Sequence, residues 1–178
     1  MKKMTITTLI MGMGIWAGTP VVTQAACNAN VIATTPDSRF TDNGDGTVTD
    51  KATSLMWKQC SEGQSTTTSA CDTGTPVGYT WQDALQQAES LNNDGGFAGH
   101  TDWRLPNRNE LASLVERQCS NPSINTNLFP KTASSDYWTS SPIVSNSGRA
   151  WNISFNYGNV YGSSNSSTRN VRLVRGGQ

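Results

Sequence analysis

The chain has 178 residues, with 13 basic residues balanced by 13 acidic ones, and a mean hydropathy of −0.48. That balance excludes a global electrostatic drive toward nucleic acid. A single histidine, His100, restricts imidazole-based catalysis to one position.

Residues 1–25 read as a secretory signal. Lys2 and Lys3 form a positive start, an apolar stretch runs from Ile6 to about Ala17, and Thr23-Gln24-Ala25 supplies small residues for cleavage after Ala25. The apolar stretch is shorter than the roughly 20 residues a spanning helix needs. Gln24 stands where a lipobox wants an apolar residue, which argues against a lipid anchor on Cys27. No later segment is apolar enough to span a membrane. The expected organisation is a signal over 1–25, an extended lead-in over 26–38 and one domain over 39–178, long enough for a real core. Loss of Lys2 and Lys3 leaves the mature chain slightly acidic.

Arg39 to Trp57 reads as two strands around a turn. Asp42-Asn43-Gly44-Asp45-Gly46 is dense in residues that tolerate positive φ, and Thr47-Val48-Thr49 and Leu55-Met56-Trp57 have strand character. Residues 61–79 form a polar loop. A first helix is predicted from Trp81 to Leu91, with Thr80 as N-cap and Asp83 near a capping-box position. Trp81, Ala84, Leu85, Ala88 and Leu91 share its apolar face. Trp103-Arg104-Leu105 is a short strand stopped by Pro106. Asn107 then caps a second helix, predicted from Arg108 to about Gln118, with Glu110 closing the box and Leu111, Leu114 and Val115 buried. Strands follow at Tyr137–Ser141, Ala150–Phe155, Val160-Tyr161 and Asn170–Arg175. Trp151, Ile153 and Phe155 alternate onto one face, which is expected to be core. Asn156-Tyr157-Gly158-Asn159 is a hairpin turn.

The four cysteines lie after the predicted cut, and an even number in an exported chain reads as two disulfides. Cys60 and Cys71 flank one polar loop and form the local pair, leaving Cys27 with Cys119. A four-thiolate metal site lacks close pairs of cysteines.

Several blocks occur in order: Asp45–Asp50, Leu55-Met56-Trp57, Thr80–Ala84, Gly95–Gly99, Thr101–Asn107, Tyr137–Ser141 and Val171–Gly177. Together they resemble the Lcl C-terminal domain family, exported bacterial domains found alone or at the ends of longer surface proteins. The resemblance implies a C-type-lectin-like α+β fold, with two amphipathic helices packed on a distorted antiparallel sheet and long polar loops. It also implies relatives that act as adhesin tips, one of which binds sulfated polysaccharides as a trimer on a collagen-like stalk. This sequence has no collagen-like repeat, so the oligomeric state does not carry over.

Asp42, Asp45 and Asp50 suggest a calcium loop, but their spacing departs from the EF-hand pattern and a plain turn is favoured. The Glu-Pro-Asn and Trp-Asn-Asp triplets of calcium-dependent lectins are absent. No residue pattern indicates a cofactor, a metal or a catalytic group. Asp102, Glu110 and Asp136 are the conceivable members of a hydrolase site. The late arginines, Arg149, Arg169, Arg172 and Arg175, form either a basic patch or paired strand-edge charges, with a structural role favoured for the last two. The sequence therefore predicts a secreted, periplasmic or cell-surface binding module without enzymatic activity. Its partner would be an extracellular glycan or a protein, not a nucleic acid. Arg149, Asn156, Tyr157, Tyr161 and Arg169, within the polar strands of residues 143–170, are the expected ligand contacts. The alternatives are a structural or assembly component of the cell envelope and, more remotely, a hydrolase.

Overall fold

Turn chemistry organises the first sheet. In the computed structural model, which describes residues 25–64 and 70–176, Gly44 and Gly46 take φ of 75° and 83° between β2 (Phe40–Asp42) and β3 (Thr47–Asp50). Asp42 Oδ1 accepts from the Gly44 amide at 2.9 Å and Asp45 Oδ1 from the Thr47 amide at 3.0 Å, so both carboxylates close Asx turns. The third carboxylate of that segment, Asp50, pairs with Arg39. β4 (Leu55–Lys58) and β9 (Val174–Arg175) complete a four-stranded antiparallel sheet in the order β2-β3-β4-β9. The predicted signal segment, apart from Ala25, lies outside the described residues.

Helix α1 (Trp81–Asn93) starts as expected and runs two residues further. Thr80 Oγ1 accepts from the Asp83 amide at 3.3 Å, and Ala84 and Ala88 are buried on the inner face. Helix α2 (Arg108–Ala112) carries the full capping box, with Asn107 Oδ1 accepting from the Glu110 amide at 2.9 Å and Glu110 Oε2 from the Asn107 amide at 2.7 Å. It is a five-residue helix, not the longer one expected to reach Gln118. The physical reason is long-range. Glu116 turns its carboxylate to Thr34 and Thr35 of the lead-in, Arg117 donates its amide to Thr34 Oγ1, and Val115 bridges to Ile124. These bonds replace helical ones, while Leu111, Leu114 and Val115 still bury their side chains.

β1 (Ala26–Cys27) pairs with β5 (Cys119–Ser120), and the Cys27–Cys119 disulfide joins them. The Cys60–Cys71 disulfide closes the polar loop, so both pairings agree with the sequence. A third sheet is formed by β6 (Asp136–Ile143), β7 (Asn146–Ser154) and β8 (Asn159–Ser164), with β7 central. The expected single sheet is thus three antiparallel sheets. The predicted last strand shrinks to Val174-Arg175, because the residues before it bond to different partners. Asn170 exchanges backbone bonds with Asp136 and Trp138, Val171 accepts from Glu62, and Leu173 accepts from Lys58.

Two apolar clusters fill the interior. One gathers Phe40, Val48, Trp57, Leu111, Leu114, Phe129, Tyr137, Ile153 and Phe155 between the four-stranded sheet and the inner end of the third. The other sets α1 against Trp103, Leu105, Trp138, Ala150, Val171 and Leu173. Trp103 and Trp138 bury roughly 150–250 Å² each, and both indoles find backbone acceptors, the carbonyls of Phe97 and Tyr79. Between the clusters lies a buried polar seam. Lys58 Nζ meets Glu62 Oε1 at 2.6 Å. The fully buried Arg172 donates to the carbonyls of Lys58 and Gln59 and to Thr132 Oγ1.

Candidate functional site

The β7–β8 hairpin carries most of the expected contacts. Its turn is anchored through Asn156, whose carbonyl accepts from the Asn121 amide at 2.9 Å and from Ser123 Oγ at 3.2 Å. That anchoring leaves Tyr157 at the tip, 64% exposed. Gly158 permits the approach, since a Cβ there would press on Val115 Cγ1. Along the edge strand, Val160 and Tyr161 are 43% and 49% exposed, and Asn159 Nδ2 donates to the Tyr161 hydroxyl at 3.0 Å.

Strand register separates the remaining contacts. Tyr161 pairs with Asn152 and Arg149 with Ser164, so Tyr161 and Arg149 point to opposite faces of the sheet. Arg169 lies on the Tyr161 face: its Nη2 donates to Ser163 Oγ at 3.2 Å, its Nε lies 3.1 Å from Asp136 Oδ2, and its guanidinium sits 6.0 Å from the Trp138 ring. Asn152 is fully buried on that face, and among the described residues its Oδ1 has no hydrogen-bond partner. Tyr161 and Arg169 therefore share the face on which Asn152 and Trp138 are buried, Tyr157 stands at the turn, and Asn156 serves through its backbone. Arg149 stands apart, donating to the Gly162 carbonyl from the other face.

The late arginines do not gather into one patch. Arg172 is inside the protein, Arg175 pairs with Asp102 at 2.7 Å, and Arg169 pairs with Asp136. Asp102, Glu110 and Asp136 each face an arginine, since Glu110 takes a two-pronged pair from Arg104 at 2.8 Å on each oxygen. The Arg175 guanidinium beside Asp102 holds that carboxyl below the usual range. Burial pushes Glu110 upward, but Arg104 and the Asn107 amide outweigh it, and the net shift is downward. Among the described residues, no three His, Cys, Asp or Glu side chains are grouped to hold a metal ion.

Sequence patterning missed a second locality. Trp151 was expected in the core with Ile153 and Phe155, yet it is only half-buried. Its end of the sheet runs past the inner cluster, and the covering group is a cation: Arg108 of α2 lies 5.2 Å from the ring centroid. Asn107, Arg108, Asn109, Ser141, Pro142 and Trp151 line a groove of about 290 Å³ there. The available signal was the polar Asn107-Arg108-Asn109 run, two-thirds of which capping does not explain.

The sequence matches the Lcl C-terminal domain over residues 46–175, most of the described chain. The protein belongs to this family. No curated protein matches the chain. The Lcl C-terminal domain match begins inside the β2–β3 turn, so β1, β2 and the Cys27–Cys119 disulfide lie wholly or partly before it. These segments are nonetheless packed onto the domain through Glu116 and the β1–β5 pair. No helix among the described residues is long and apolar enough to cross a membrane.

Proposed function

We propose that this Lcl C-terminal domain is an exported, non-catalytic binding module of the bacterial cell envelope. It has a C-type-lectin-like fold and recognises an extracellular polysaccharide, sulfated or otherwise acidic, in the manner of an adhesin. The supporting observation is the exposure of Tyr157 at the turn and Tyr161 on the edge strand of the β7–β8 hairpin. A rigid hairpin that presents two tyrosines beside Asn159 and Arg169 combines stacking surfaces with hydrogen-bonding groups, and tyrosine supplies such area at low entropic cost. Two disulfides fit an oxidising compartment, periplasmic or extracellular. A polysaccharide array probed with the mature chain tests this reading. Binding that survives Tyr157→Ala with Tyr161→Ala would place the ligand elsewhere.

A second reading has its own support. Among the described residues, β8 is hydrogen-bonded in its sheet on one side only, and an open edge accepts an extended segment of another protein. On that reading the domain is an assembly component of the envelope. Stable co-purification with an envelope complex, without polysaccharide binding, would favour it.

A further inference from the structure

The groove between the start of α2 and the β6–β7 strands has the chemistry of a small, singly charged subsite. Its one cation, the exposed Arg108, lies over Trp151, and no carboxylate pairs with it among the described residues. The guanidinium fork is therefore oriented by the indole and still has N–H groups to donate. Around it stand neutral groups. Asn107 uses its Oδ1 in the cap, and among the described residues its Nδ2 donates to no acceptor. Ser141 Oγ accepts from the Arg108 amide at 3.0 Å and keeps its hydroxyl proton for another acceptor. The Asn109 side chain is exposed at the rim.

Three of the backbone amides at the start of α2 are already taken. The Asn107 amide is taken by Glu110, the Arg108 amide by Ser141 and the Glu110 amide by Asn107. Recognition falls to side chains. One cation with several neutral donors and acceptors suits a polyhydroxylated ligand bearing one acidic group, whereas an acidic peptide would require more cations. Arginine pairs with a carboxylate through two parallel hydrogen bonds. At about 290 Å³ the groove lies at the lower end of small-molecule sites, which limits it to a single sugar residue.

We propose that this groove is a subsite for one uronate-type residue of an acidic saccharide, with Arg108 holding the carboxylate, Trp151 bordering the ring, and Asn107, Asn109 and Ser141 meeting hydroxyl groups. The subsite rests on the polysaccharide reading for its ligand class and adds a contact on a different face from Tyr161.

The test is a titration of the isotope-labelled mature chain with D-glucuronate, following the Trp151 indole and Arg108 Nε–H signals by NMR. Saturable shifts with a dissociation constant on the order of millimolar are expected, as befits one sugar residue. Glucose, lacking the carboxylate, should bind at least about tenfold more weakly. Arg108→Gln should abolish the shifts, and Arg108→Lys should recover only part of them because it restores charge without the fork. Both variants must keep the wild-type thermal midpoint, which an exposed side chain permits, and Asn109→Ala provides a second, independent weakening. Absence of glucuronate shifts, or shifts that survive Arg108→Gln, would overturn the subsite. Acetate binding as tightly as glucuronate would overturn its sugar assignment. Failure of the polysaccharide reading shows differently: no binding on the array while glucuronate shifts persist.

Discussion

Glu116→Gln isolates the bond network that ends α2 early. The Glu116 carboxylate is buried and accepts five hydrogen bonds: from the amides of Thr34, Thr35 and Gln118 at 3.0, 2.7 and 2.8 Å, and from the hydroxyls of Thr34 and Thr35 at 3.2 and 2.9 Å. Glutamine keeps the shape but turns one oxygen into a donor. One oxygen's set of donors then loses its acceptor, and the remaining bonds lose their charge. An unsatisfied buried donor costs about 1–3 kcal/mol and a charge-assisted bond contributes about 1.5–3 kcal/mol, so the swap should cost about 2–4 kcal/mol. For a domain of this size that lowers the thermal midpoint by roughly 5–15 °C. Because these amides bond to the Glu116 carboxylate, exchange at Thr34, Thr35 and Gln118 should also accelerate. The pH dependence supplies a further arm. Burial raises the Glu116 carboxyl, but the bonds from Thr34, Gln118 and Thr35 outweigh it and hold it below the ordinary value. A depressed carboxyl stabilises the fold above its unfolded pKa, about 4.3, and that stability is lost as pH falls through the lower folded value. The gap between wild type and variant should therefore close in acid. A variant midpoint within about 1 °C of wild type at pH 7, or a gap that persists in acid, would refute this assignment.

Arg172→Met should destabilise the fold by about 1–3 kcal/mol for a buried acceptor left unpaired, because the carbonyls of Lys58 and Gln59 and Thr132 Oγ1 lose their buried donor; a soluble variant with wild-type urea midpoint would contradict it. Replacing Cys60 and Cys71 together by Ser should cost about 2–5 kcal/mol, read by denaturant unfolding, and an unchanged midpoint would show that the loop is held without its disulfide. Asn107→Ala removes the side-chain half of the α2 capping box and should cost about 1 kcal/mol in the same assay; no loss would mean that Glu110 and Arg104 hold the junction alone.

Local chemistry was legible and long-range chemistry was not. Thr80 and Asn107 could be assigned as caps because a cap is a bond between near neighbours in sequence. The Asp42–Gly46 turn and the Cys60–Cys71 loop are local in the same sense, and assigning that pair left Cys27 only Cys119. The end of α2 was missed because Glu116 bonds to residues more than 80 positions away, where no periodicity points. Trp151 was misplaced for another reason: period-two alternation says which face a side chain takes, and that face is core beneath Ile153 but open beyond it. The candidate surface was half legible. The tyrosines of the β7–β8 hairpin are exposed, as their polar surroundings suggested, while register puts Arg149 on the opposite face from Tyr161. Arg108, which α2 brings over Trp151, could not be tied to it without the fold.

The most direct test of the binding reading is equilibrium binding of the mature chain to an immobilised panel of sulfated and carboxylated polysaccharides, with Tyr157→Ala and Tyr161→Ala combined in a second sample. Saturable binding to at least one acidic polysaccharide is expected, weakened at least about tenfold, or about 1.4 kcal/mol, in the double variant with its thermal midpoint unchanged. Absence of binding across the panel, or equal binding by the double variant, would contradict the assignment of this hairpin as the recognition surface.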